Sequence, residues 1–163
     1  MPEDFAQQLQ NICATCGVAV VYTQNLPKAP ISGATRWFHN KPIIQLSGRF
    51  RTNDHFWFTF FHEAAHIILH GKKDIFLENV EGTKIDQEKE EEANAFAAKV
   101  LIEDKAWKEI VNNLPLLPKQ IERLSQQLSV APGIIVGRLQ HEDWVSKAFG
   151  NELKTKIELF QAY

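Results

Sequence analysis

His62-Glu63-Ala64-Ala65-His66 puts two imidazoles and a carboxylate within five residues of an apolar run. Phe56-Trp57-Phe58-Thr59-Phe60-Phe61 precedes the first histidine, and Ile67-Ile68-Leu69 follows the second. On a helix, residues four apart differ by about 40° around the axis and about 6 Å along it, so both rings can converge on one metal ion. Glu63 is one residue on from His62 and lies beside such an ion rather than on it. From there its carboxylate can take a proton from activated water, which is the equipment of a zinc peptidase. The bland alternative is a helix with two satisfied histidines and one solvated glutamate. It accounts poorly for three ionisable groups in so apolar a run, because their burial is costly unless they are paired or bound to metal.

Zinc favours four ligands, and a catalytic site takes three of them from protein. A third ligand must come from elsewhere in the chain. Ala93, Phe96, Ala97, Val100 and Leu101 recur at helical spacing and predict a second amphipathic helix over residues 88–101. Its apolar stripe passes near Glu90, and Asn94 follows four residues later on the same face. A solvated acidic face explains Glu88, Glu91 and Glu92, since negative charge suits the first turns of a helix. Periodicity alone places Glu90 and Glu91 about equally well.

The stretch from Phe58 through His62-Glu63-Ala64-Ala65-His66 to His70, followed by Glu90-Glu91-Glu92-Ala93-Asn94, closely resembles the ImmA/IrrE family of metallopeptidases. That family carries an H-E-x-x-H helix and then E-x-x-x-N on a following helix. The resemblance implies that His62, His66 and Glu90 are the metal ligands and that Glu63 is the general base. Asn94 matches the Asn of the second motif, as a residue supporting a ligand from behind. Gly33 to Ser47 also looks like this family, and Pro132 to His141 is similar to versions fused behind a repressor-like helix-turn-helix domain. The resemblance thus covers nearly the whole chain. One departure is Ile102-Glu103, where the family often has Met-Pro; it changes a turn and not the chemistry. The resemblance further implies zinc as cofactor, with manganese or iron as alternatives, and a DNA-binding repressor as the protein substrate.

The elements that must position these residues follow from patterning. Phe5, Leu9, Ile12 and Cys16 mark a first helix closed by Gly17. Val18 to Tyr22 is an apolar strand. Ala34 to Phe38 and Ile43 to Leu46 are short strands around His39-Asn40-Lys41-Pro42, a hairpin turn. Thr52, Asn53 and Asp54 offer caps for the motif helix, which ends at Gly71 with His70 and Lys72 suiting its C-terminal end. Residues 72–84 read as a mixed connection. A short helical piece surrounds Trp107, Ile110 and Val111, and Pro115 and Pro118 then interrupt the chain. The expected fold is α+β: a small antiparallel or mixed three-stranded sheet packed against the H-E-x-x-H helix and further helices, with a C-terminal helical pair. Residues 1–163 read as a single zinc-peptidase domain, with 119–163 a C-terminal helical subregion.

That subregion scans like a helix-turn-helix from Lys119 to Leu139. A DNA reader needs polar and basic residues on its second helix. This one presents Ile134, Ile135, Val136 and Leu139, with Arg138 as its only strong cation. Packing on the catalytic core is the better expectation, and no direct nucleic-acid contact is expected. A net charge of −2 also argues against broad phosphate binding. Met1-Pro2-Glu3-Asp4 does not read as a signal peptide, and no apolar stretch approaches the roughly 20 residues of a membrane span. Cys13 and Cys16 form a lone C-x-x-C, read as two core-facing thiols of a reducing cytoplasm. His70 lies eight residues from His62, about 12 Å along the axis, too far for all three histidines to share one ion. His39, His55 and His141 lack ligand spacing and read as surface or substrate-channel residues. Two other classes remain open: a non-catalytic regulatory module of a repressor or toxin–antitoxin system, and a DNA-binding protein using the C-terminal helices.

Overall fold

Residues 41–47 alternate in burial, with Pro42, Ile44 and Leu46 inside. That period of two builds strand β3 (Lys41–Ser47) at the centre of a mixed sheet. The computed structural model describes residues 4–24, 32–48, 52–71, 76–77 and 86–159. After helix α1 (Phe5–Thr15), strand β1 (Ala19–Thr23) pairs parallel with β3, and β2 (Gly33–Phe38) pairs antiparallel with it. A two-residue strand, β4 (Phe76–Leu77), adds to the outer side of β2. It falls in the stretch read as a mixed connection, because two residues are too few to show alternation. The β2–β3 turn uses His39 and Asn40, whose φ values of 44° and 71° are both positive, as a tight twisted hairpin requires. Lys41 and Pro42 belong to β3 rather than to the turn. Pro42 is tolerated there because pairing with β1 begins only at Ile43.

Helix α2 (Asn53–Ala65) has Thr52 at its N-cap and carries His62 to Ala65 of the H-E-x-x-H motif, with His66 immediately after its end. Asn53 does not cap it from its side chain in the expected way. Its Oδ1 instead accepts from the backbone N–H of Asp54 and of Thr155, tying the C-terminal segment to the start of α2. The expected helix does end at Gly71 (φ 72°), but its last stretch, His66–His70, is a π turn rather than continuous α-helix. Then come α3 (Gln87–Leu101), α4 (Asp104–Asn112), α5 (Pro118–Leu128) and α6 (Pro132–His141).

Two apolar clusters lie on either side of α2, and Trp57 packs against both. The first joins Leu9, Val20, Ile44, Leu46 and Phe56 with Ile157 of the C-terminal tail. The second is built from α4, α5 and α6 and includes Trp107, Ile110, Ile121 and Leu139. Ile134, Ile135 and Leu139 are buried, so the C-terminal pair packs as expected. Each such side chain contributes about 1.5–3 kcal/mol by leaving water. α6 approaches α2 closely because residue 137 is glycine: a Cβ there would lie 2.6 Å from Asp54 Oδ2. Asp54 Oδ2 in turn pairs with Lys154 Nζ at 2.6 Å, the carboxylate buried and the lysine largely so. The tail after α6 returns across the start of α2, with Lys156 bridging to Thr52, a path the sequence reading did not place. Cys13 is partly buried against the first cluster, but Cys16 is exposed, contrary to the core-facing expectation for both. α1 ends at Thr15, so Cys16 lies past the helix and off its apolar face. Among the described residues, no helix is long and apolar enough to cross a membrane.

Candidate metal centre

His62 in the last turn of α2 and His66 at the start of the π turn that continues it lie on one face, as a spacing of four requires. Their Nε2 atoms are 3.1 Å apart. α3 packs alongside and brings Glu90 to the same point. Its Oε2 is 3.3 Å from His62 Nε2 and its Oε1 is 3.4 Å from His66 Nε2. Among the described residues, these three form the group of donors able to share one ion. The even choice between Glu90 and Glu91 thus goes to Glu90, with Glu91 exposed. Glu63 stands outside the group.

The donor set fits a tetrahedral cation. Donors about 2.0–2.2 Å from such an ion stand about 3.3–3.6 Å apart, close to the separations observed. Proton positions agree. Asn94 Oδ1 lies 2.9 Å from His62 Nδ1, and an amide oxygen only accepts. His62 Nδ1 therefore carries a hydrogen and its Nε2 lone pair is turned toward Glu90 and His66. Converging lone pairs repel unless a cation lies among them. The electrostatics point the same way. Burial, then the adjacent His62, pushes His66 down to about 4. In the metal-free chain, a His62 ring that takes up a second proton becomes both donor and positive charge to Glu90, which holds the Glu90 carboxyl below its ordinary value against the opposing effect of burial. The neutral imidazole and the ionised carboxylate are the forms a metal ion binds.

Glu63 is 1% exposed and is held by β2. The Thr35 hydroxyl lies 2.7 Å from Glu63 Oε2 and 2.9 Å from its backbone carbonyl. Gly33 makes room for it, since a Cβ there would come within 2.6 Å of Glu63 Oε1. Strand β2 and the motif helix thus fix one carboxylate on the residue that follows His62. Neither Thr35 nor Gly33 was singled out from sequence. The available signal was a run of small residues, Gly33-Ala34-Thr35, at the start of a strand, where a helix can come close.

His70 is not one of the three converging donors, in keeping with its axial distance from His62. It nonetheless touches the site: its Nδ1 is 3.0 Å from His66 Nδ1. A cleft of about 550 Å³ is lined by Phe58, Asn94, His55, Arg138, His141 and Lys154 among others. It does not include the three donors, but Phe58 stacks on His62 and Asn94 hydrogen-bonds to it, so it adjoins the centre. His55 and His141 line it, while His39 sits in the hairpin turn.

The family model of the M78 peptidases, described as the IrrE N-terminal-like domain, matches residues 13–139. No curated protein matches the chain.

Proposed function

Because the chain belongs to the M78 peptidase family, we propose that it is a zinc-dependent endopeptidase. The observation that carries this reading is the meeting of His62, His66 and Glu90 beside a buried Glu63. In this reading His62, His66 and Glu90 hold the ion, and Asn94 keeps His62 in the ligand tautomer. When bound, zinc supplies Lewis acidity and lowers the pKa of water from 15.7 toward about 7. Glu63 takes the proton from the attacking water and returns it to the leaving amine. Thr35 and Gly33 hold that carboxylate in line, so the transfer begins from one fixed oxygen position. The adjoining cleft gives room for the peptide on the Asn94 side of the site.

The substrate in this reading is a DNA-binding repressor, supported by the resemblance to ImmA/IrrE peptidases, and the setting is the cytoplasm. The C-terminal helices serve packing and not DNA reading. Arg138, the strong cation of α6, is turned inward: its guanidinium donates to the backbone carbonyls of Ala98 and Ile102, pairs with Glu142 and covers the Trp107 ring. Groove binding depends on cations free to meet phosphate.

The test is cleavage of a fluorogenic peptide library and of a repressor encoded beside the gene. Activity should vanish on chelation and return with zinc. A pure, folded chain that takes up no zinc, and cleaves nothing with zinc, manganese or iron, would overturn the proposal.

A further inference from the structure

α3 reaches the His66 side of the centre twice, once through Glu90 and once through a longer route. His66 Nδ1 is 3.0 Å from His70 Nδ1, and His70 Nε2 is 2.9 Å from Glu92 Oε2. Proton placement along this chain follows from donor chemistry. A carboxylate only accepts, so His70 Nε2 carries a hydrogen directed at Glu92. Neutral His70 then has its lone pair on Nδ1, which accepts from His66 Nδ1–H. The His66 lone pair is left on Nε2, the atom that faces His62 and Glu90 at 3.1 and 3.4 Å. Without His70, both His66 tautomers are open, and one of them points an N–H at the ion site.

The fold protects this link. The His70 side chain is only 4% exposed although it lies near the end of its helix. The π turn covers His66–His70, the stretch that carries both rings, and Gly71 ends the helix immediately afterwards. π turns occur mostly as single-turn bulges within helices, frequently at functional sites. Asn94 performs the matching task for His62, so each histidine donor has its own fixed acceptor, and both supports trace back to α3.

We infer that His70, oriented by Glu92, is a positioning residue that locks His66 in its metal-binding tautomer. The inference rests on the metallopeptidase reading above. Residues behind a metal-bound histidine are worth about 10–100-fold in metal affinity.

The experiment measures zinc affinity of the full chain by chelator competition, together with the ¹⁵N NMR signature of the His66 ring in zinc-free protein. His70→Ala should weaken zinc binding about 10–100-fold and turn His66 from one tautomer into a mixture. His70→Gln, whose side-chain oxygen can still accept from His66 Nδ1–H, should recover most of the affinity and the single tautomer. Glu92→Ala should give a smaller loss in the same direction. A merely structural residue would not be rescued by glutamine, nor shift the tautomer at an unchanged melting temperature. Wild-type affinity and an unchanged tautomer in His70→Ala overturn the inference while leaving the peptidase reading intact. Should His70→Ala fail to fold, the exposed Glu92→Ala decides: weaker zinc binding supports the link, and wild-type binding overturns it. A wild-type chain that takes up no zinc, and cleaves nothing with zinc, manganese or iron, defeats the peptidase reading instead, and the zinc-free tautomer still decides the role of His70.

Discussion

Gly33→Ala isolates the placement of Glu63 from everything else at the site. A methyl at residue 33 would lie 2.6 Å from Glu63 Oε1, 2.6 Å from Thr59 Cγ2 and 2.8 Å from Glu63 Cγ. Ordinary contact begins near 3.4 Å, so these separations must open by about 0.6–0.8 Å. Gly33 is not among the positive-φ glycines, so alanine suffers no backbone strain there and the penalty is steric. Both clashing side chains belong to α2, which is packed between two apolar clusters and cannot simply retreat. The easier relief is for the Glu63 carboxylate to swing away and give up the 2.7 Å contact with the Thr35 hydroxyl. Overpacking of this kind costs about 1–3 kcal/mol. For a chain of this size that lowers the melting temperature by about 2–12 °C. A misplacement approaching 1 Å costs about 10²-fold in rate. Calorimetry, zinc per chain by mass spectrometry and kcat on a fluorogenic peptide give three independent readings. The expectation is a modest loss of stability, full zinc content and a kcat about 10²-fold down. A variant with wild-type kcat and melting temperature would refute the idea that β2 clamps the base. Loss of zinc in parallel with activity would show that Glu63 and the ion site are not separable.

Leu139→Ala removes a fully buried side chain from the cluster that joins α4, α5 and α6. It should cost about 2–5 kcal/mol and appear as one cooperative transition at a lower temperature. An unchanged melting temperature would mean that the C-terminal pair is an appendage. Acid should destabilise the zinc-free protein. The unfolded chain binds protons at His66 near its ordinary value of 6.5, whereas the folded chain does so only near about 4. Stability from this group is therefore complete above about pH 6.5 and lost as the pH falls toward 4, and the lowered Glu90 carboxyl adds further loss in the same direction. Melting temperatures of zinc-free protein measured from pH 7 to 4 check this, and His66→Ala should flatten the upper part of the curve. A flat wild-type curve would contradict it.

What the sequence made legible was what short-range chemistry controls. His62 and His66 share a helix, so their convergence follows from a spacing of four. Ile134, Ile135 and Leu139 announce a buried face. Glu90 was different: periodicity could not separate it from Glu91, because the choice depends on how α3 crosses α2, and only the family resemblance decided it. Thr35 meets Glu63 across 28 residues of chain, and no local pattern encodes that meeting. The π turn leaves no mark in hydrophobic periodicity, so the spacing excludes His70 from sharing one ion with His62 and His66 but does not show its contact with His66. β4 was too short to register. Among the described residues, the returning tail reaches the first cluster through Ile157 and Leu159 alone, which is less than a pattern.

In the proposed mechanism Glu63 moves the proton and the three donors hold the ion. Two variants, Glu63→Gln and His66→Ala, measured side by side for zinc content and for cleavage, test it most directly. Glu63→Gln keeps the size and burial of the side chain and removes only its capacity to take a proton. It should hold zinc near the wild-type level and cleave nothing, whereas His66→Ala should lose both metal and activity. If Glu63→Gln cleaves at the wild-type rate, or releases zinc as completely as His66→Ala, the assignment of Glu63 as base beside a His62–His66–Glu90 metal centre is wrong.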